Sequence, residues 1–103
     1  MAGRRRDCRK LKIVFEPGLH KHLATLWHQN EGKCFYTGRT MKLHGYHAGD
    51  PDAVTVDRIK PEKGYVTGNV VLCCQIVNRM KYKMNYEQLL AMCQEILSHR
   101  KEL

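Results

Sequence analysis

No long hydrophobic run occurs in this sequence. Its longest apolar stretch, Val70 to Cys74, is far short of the roughly 18 residues that a bilayer span requires. The N-terminus, Met1-Ala-Gly-Arg-Arg-Arg-Asp, is positive but leads into no apolar segment, so it does not read as a secretory signal. The cysteines lack an even count: five stand at 8, 34, 73, 74 and 93. A secreted disulfide scaffold more often shows an even set at turn-rich spacing. Cys73 and Cys74 adjoin inside the apolar run and read as small packed hydrophobes. Internal repeats, interdomain linkers and low-complexity tracts are also missing. Together these absences argue against a membrane-spanning, disulfide-stapled or disordered chain, and they set the expectation of a cytoplasmic protein with no membrane partner.

What is present suits one globular domain. The chain has 103 residues, 43% of them apolar and 27% charged, enough for a single modest core. Eighteen Lys and Arg against ten acids give a net charge of +8. That excess favours an anionic polymer as partner, although anionic lipid or an acidic protein would also suit it. Residues 1–12 carry Arg4, Arg5, Arg6, Arg9, Lys10 and Lys12 and read as a basic arm, either a solvated tail or a phosphate contact. Residues 13–103 form the domain.

Spacing then gives the elements. Pro17-Gly18 precedes Leu19, Leu23, Leu26 and Trp27, an amphipathic helix over about 17–29 that Asn30-Glu31-Gly32 stops. Lys33-Cys34-Phe35-Tyr36 reads as a short strand, and 44–52 as loop. Val54 to Ile59 is β-rich and is closed by Lys60-Pro61. Turn residues at 62–65 and 67–69 lead into a second strand, Val70 to Cys73. Ile76, Val77 and Met80 change the beat to helical over about 74–83. Asn85 and Gln88 form a capping-box pattern ahead of Leu89, Leu90, Cys93, Ile96 and Leu97, which mark a C-terminal helix. The class is α+β.

The stretch from Val54 to Lys81 carries chemistry. A strand–turn–strand–helix unit folds its helix back across the hairpin, so that a carboxylate on the strand and an amide oxygen on the helix converge. Such hard oxygen ligands suit Mg²⁺ or a similar cation that also takes phosphate oxygens. Here the chain resembles the HNH (ββα-metal) nuclease superfamily, and small phage members in particular. The resemblance runs through Cys34-Phe35-Tyr36-Thr37-Gly38, Asp57-Arg58-Ile59-Lys60-Pro61, Gly64, Gly68-Asn69, Val70-Val71-Leu72-Cys73 and Asn78-Arg79-Met80-Lys81. It covers about residues 34–83. It implies a ββα core over about 54–83, flanked by the N-terminal and C-terminal helices, in a bacterial or phage-infected cytosol. It also implies Asp57 and Asn78 as ligands of Mg²⁺ or Mn²⁺, Asn69 as the brace of the hairpin turn, and Arg79 and Lys81 facing phosphate. By charge alone, Lys83 and the arm residues Arg4, Arg5 and Arg6 are expected to join them in binding nucleic acid. Read singly, Asp57 is a strand-end carboxylate paired with Arg58 or Lys60, and Asn78 an indifferent helix polar residue.

Two departures from the pattern matter. The family's general base is the His after the Asp, and here Arg58 stands in that place. A guanidinium stays protonated and cannot take a proton from water, though it can bind phosphate or stabilise a transition state. His44 and His47, in the loop before the strand, have pKa values suited to a base, and each also reads as a plain loop histidine. Relatives often carry a four-cysteine zinc, but Thr37 and Val77 take two of those positions and leave Cys34 with Cys74 or Cys73. Two thiolates do not close a tetrahedral site. A mixed site drawing on His44 or His47 is the alternative; the leading expectation is no structural zinc, with Val77 packing in the former ligand position. The leading expectation is a divalent-metal-dependent endonuclease or nickase acting on duplex DNA. The alternative is a non-catalytic HNH-fold protein that binds nucleic acid or acts as an accessory or inhibitor.

Overall fold

A computed structural model describes residues 13–103. The basic arm at 1–12, with Arg4, Arg5 and Arg6, lies outside the described residues. In chain order the elements are α1 (Leu19–Gln29), β1 (Val54–Arg58), a 3₁₀ turn (Pro61–Lys63), β2 (Val70–Cys74), α2 (Gln75–Lys81) and α3 (Tyr86–Ser98). Two antiparallel strands and three α-helices make a small α+β fold. No helix among the described residues is long and apolar enough to cross a membrane.

β1 and β2 pair with Val54 opposite Cys74, Val56 opposite Leu72 and Arg58 opposite Val70. Side chains alternate across the pleat. One face carries Val54, Val56, Val70, Leu72 and Cys74, and the other Thr55, Asp57, Val71 and Cys73. All five β2 residues are buried, because helices cover both faces, and this is why the strand reads as an unbroken apolar run. Removing the side chains of Val70, Val71 and Leu72 from water stabilises the fold by about 1.5–3 kcal/mol each. The core adds Leu19, Cys34, Met41, Tyr65, Val77 and Leu89, with Leu23, Leu26 and Trp27 packed half-buried against it.

Several sequence expectations shift. α1 begins at Leu19 rather than 17, since Gly18 sits at φ 78, outside the helical region. Lys33 to Tyr36 is not a strand: Lys33 makes one isolated bridge with Thr40, and the chain then turns. α2 is shorter than 74–83, because Cys74 stays in β2 and Tyr82 takes φ 53. The capping box forms as read. The Asn85 side chain accepts from the Gln88 N–H at 2.8 Å, and the Asn85 N–H donates to Gln88 Oε1 at 2.9 Å.

The hairpin connection is held from two sides. Val14 O accepts from the Tyr65 N–H at 2.8 Å, and the Glu16 N–H donates to Tyr65 O at 2.9 Å. The chain comes so close here that a Cβ on Gly64, at φ 80, would lie 2.5 Å from Val14 O. Only glycine fits that position.

Candidate functional site

Strand alternation turns Thr55 and Asp57 toward α2, and a spacing of three puts Asn78 and Lys81 on one face of that helix. The two pairs meet. Asn78 Nδ2 donates to Thr55 Oγ1 at 3.0 Å and to Val56 O at 3.4 Å. Lys81 Nζ donates to Asp57 Oδ1 at 3.0 Å and to Arg58 O at 2.9 Å. The other carboxylate oxygen, Asp57 Oδ2, accepts from the Tyr36 hydroxyl. Lys81 is 1% exposed and Asp57 6%, so water screens this pair little.

Asp57 and Asn78 thus share one side of the hairpin, as the sequence led one to expect, but the Asp57 carboxylate is not poised for a metal. Both Asp57 oxygens are already engaged, one by an ammonium and one by a phenol. The Asn78 amide nitrogen is spent on β1, and its Oδ1 is the atom a cation would take. As it stands this donor set does not fit a divalent cation, which would have to displace Lys81. Among the described residues, no group of three or more His, Cys, Asp and Glu side chains is arranged to hold a metal.

Lys81 differs most from its expected role. It does not face phosphate, because Asp57 and the Arg58 carbonyl draw its ammonium inside. Arg79 and Lys83 remain exposed, flanked by Met80 at 55% and Tyr82 at 77% exposure. Lys60 and Lys63 are exposed near the hairpin turn. Three aspartates are neutralised within the chain: Asp50 by Lys42 at 2.8 Å, Asp52 by Arg39 at 3.7 Å and Asp57 by Lys81.

Arg58 points to the face opposite Asp57. Its Nη1 donates to Pro61 O at 2.9 Å, and its guanidinium carbon lies 4.7 Å from the centroid of the Tyr65 ring. His44 and His47 sit in the exposed loop that enters β1, and His47 Nδ1 is 2.9 Å from Ala48 O. That loop is fastened at Lys42 and Ala53. Asp57 lies three residues beyond Val54, roughly 10 Å along the strand. No hydrogen bond or ion pair among the described residues joins either histidine to Asp57.

Asn69 is buried and ties the hairpin connection together. Its Oδ1 accepts from the Lys60 N–H at 3.0 Å, and its Nδ2 donates to Lys60 O at 2.9 Å and Gly64 O at 2.7 Å. Tyr36 is the residue that sequence reasoning missed. Its ring stacks on Tyr86 with centroids 6.0 Å apart and meets Phe35 edge-on at 5.0 Å. Burial raises its phenol well above the ordinary tyrosine range, and the Asp57 hydrogen bond and charge raise it further. Nothing in the spacing around Thr37-Gly38 signals a contact with a strand some twenty residues away. In comparisons with protein-family models, curated proteins and solved structures, nothing matches this chain.

Proposed function

We propose that the chain is a nucleic-acid-binding domain of the ββα (HNH) type, in which the Lys81 ammonium takes the place a catalytic cation would hold. One observation carries this reading: Lys81 Nζ sits 3.0 Å from Asp57 Oδ1 inside the core. A carboxylate balanced by a buried lysine has no charge left to offer a metal. Arg58 supplies no base, and the partners of Asp57 are Lys81 and Tyr36 rather than a histidine. What the surface offers is cationic, with Lys60, Lys63, Arg79 and Lys83 exposed and a net charge of +8 over the whole chain. Such a surface gains affinity by releasing counterions from a phosphate backbone.

The second reading is an Mg²⁺- or Mn²⁺-dependent endonuclease or nickase. It is favoured by Asp57 and Asn78 lying on one side of the hairpin, and it requires Lys81 to leave Asp57.

The deciding experiment has two arms. Anisotropy of a labelled duplex is followed from about 50 to 200 mM salt, while supercoiled plasmid is incubated with Mg²⁺ or Mn²⁺, with and without EDTA. Salt-sensitive binding without nicking supports the binding domain. Replacing Arg79 or Lys83 by Ala should then flatten the log–log salt slope by about 0.9 for each phosphate left without its cation. Nicking that EDTA and Asp57→Ala both abolish transfers the protein to the second reading. Absence of binding at low salt to duplex or single strand removes both.

A further inference from the structure

Away from the Asp57 pair, two sulfurs meet inside the core. Cys34 opens the turn that follows α1, and Cys74 ends β2. They are 3% and 0% exposed, and their Sγ atoms lie 3.6 Å apart. Backbone bonds hold the two segments together: the Phe35 N–H donates to Leu72 O at 2.9 Å, and the Cys74 N–H points at Cys34 Sγ from 3.4 Å. The backbones thus already run at hydrogen-bonding separation, and side chains of neighbouring segments so held can be bridged. A sulfur–sulfur bond of about 2.05 Å asks the sulfurs to approach by only about 1.5 Å.

The surroundings also assign roles within the pair. Burial pushes the Cys34 thiol up. The Thr37 hydroxyl and the amides of Cys74, Thr37 and Tyr36 outweigh that effect and leave it below the ordinary thiol value. Cys34 Sγ is therefore placed as the attacking sulfur, since the Cys74 amide and thiol both donate toward it. Cys73 adjoins Cys74 in sequence but projects to the other face of β2. Its Sγ rests 3.4 Å from Thr55 Oγ1, and its thiol is pushed up to about 12, burial being the largest cause. It is a poor nucleophile aimed away from Cys34.

We propose that Cys34 and Cys74 form a dithiol modification site that a hydroperoxide converts into an intramolecular disulfide. The Cys34 thiolate attacks a peroxide oxygen. The S–O bond forms as the O–O bond breaks, and hydroxide leaves. Cys74 then attacks the sulfenic sulfur; the S–S bond forms, the S–O bond breaks, and water leaves with the Cys74 proton. The hydroxide takes the proton that Cys34 gave up. Two thiols lose two electrons and two protons, and hydrogen peroxide becomes two waters. The bond locks the turn holding Tyr36 onto the end of β2, so the oxidation state is felt at the phenol that contacts Asp57.

The test uses the full chain, reduced, freed of reductant and treated folded with hydrogen peroxide. Denaturing alkylation and peptide mass mapping follow. The expected product is monomeric, lighter by two hydrogen atoms, with Cys34 joined to Cys74 and a higher Tm that dithiothreitol reverses. Cys73→Ser should leave the bond intact, while Cys34→Ser and Cys74→Ser should each prevent it. If either serine variant fails to fold, the mapping of wild type and Cys73→Ser decides. Both cysteines still alkylatable, Cys34 joined to Cys73, stable sulfinic acid at Cys34, or bonding between chains through Cys8 or Cys93 would each overturn the proposal.

Discussion

Lys81 and Asp57, on different elements and twenty-four residues apart, neutralise each other at 3.0 Å with side-chain exposures of 1% and 7%. Neither charge is tolerable there without the other. Removing one partner from such a pair typically costs about 3–5 kcal/mol, because the remaining charge stays buried and unpaired. Lys81→Ala and Asp57→Ala should therefore each lower stability by about that much in urea titration. The double variant Asp57→Leu/Lys81→Met should recover a large part of the loss. A double variant as unstable as the sum of the two single losses would show that the pair is not acting as a unit.

Arg58 gives a sharp contrast between the two functional readings. It faces away from Asp57 and holds Pro61 O and the Tyr65 ring. For a binding domain, Arg58→His should create no Mg²⁺-dependent cleavage and should cost about 1 kcal/mol through the missing bond and stacking. In a nuclease that lacks only its base, an imidazole there acts only by leaving the Tyr65 side for the Asp57 face, and nicking raised about 10²–10⁴-fold would report that turn. Gel assays on purified Arg58→His, with an EDTA control, distinguish these outcomes.

Much of the fold is legible in the sequence for plain reasons. The break in β1 at Lys60-Pro61, the apolar run of β2 and the Asn85/Gln88 box are local signals, and each appears within a residue or so of its expected place. Asn78 and Asp57 could be placed on one side of the hairpin because strand and helix periodicities fix which way side chains point. The partners of Asp57 could not be read. Tyr36 reaches it through a turn whose path depends on the whole core, and Lys81 looks like any solvent-facing helix lysine. Whether a lysine at the end of a short helix turns outward or inward is decided by a tertiary charge, which no periodicity records.

Asn69 should be among the most costly polar residues to truncate. Its side chain makes three bonds to the Lys60 and Gly64 backbone, and Asn69→Ala leaves those buried groups unpaired. A loss of about 1–3 kcal/mol is expected, read as a lower denaturation midpoint with an unchanged slope. Asn69→Asp should recover the bond from the Lys60 N–H and not the two donated bonds. A loss within error for Asn69→Ala would mean that water replaces all three.

The Lys42–Asp50 pair predicts a pH dependence. The Lys42 hydrogen bond holds the Asp50 carboxyl below the ordinary carboxylate value, helped by the Asp52 N–H, while burial opposes both. The lysine is correspondingly raised. A carboxyl that titrates lower when folded adds stability above its unfolded value, and loses it as pH falls through the folded one. Wild type should accordingly melt higher than Asp50→Asn at neutral pH, with the gap closing below about pH 4. A gap that is constant from neutral pH to about pH 3 would assign the effect to packing rather than charge.

Helix α3 has a consequence of another kind. Of its residues Tyr86 to Ser98, Leu89 is the buried one, while Leu90, Ile96 and Leu97 are 45%, 61% and 62% exposed. A helix this short is marginal in water on its own hydrogen bonds, so the turns beyond Cys93 draw little from the body of the molecule. Opening is therefore graded along α3. Amides near Leu89 exchange with solvent only when the whole domain opens, and those after Gln94 exchange through local fraying. Within α3, proteolysis should accordingly begin at that end rather than near Leu89.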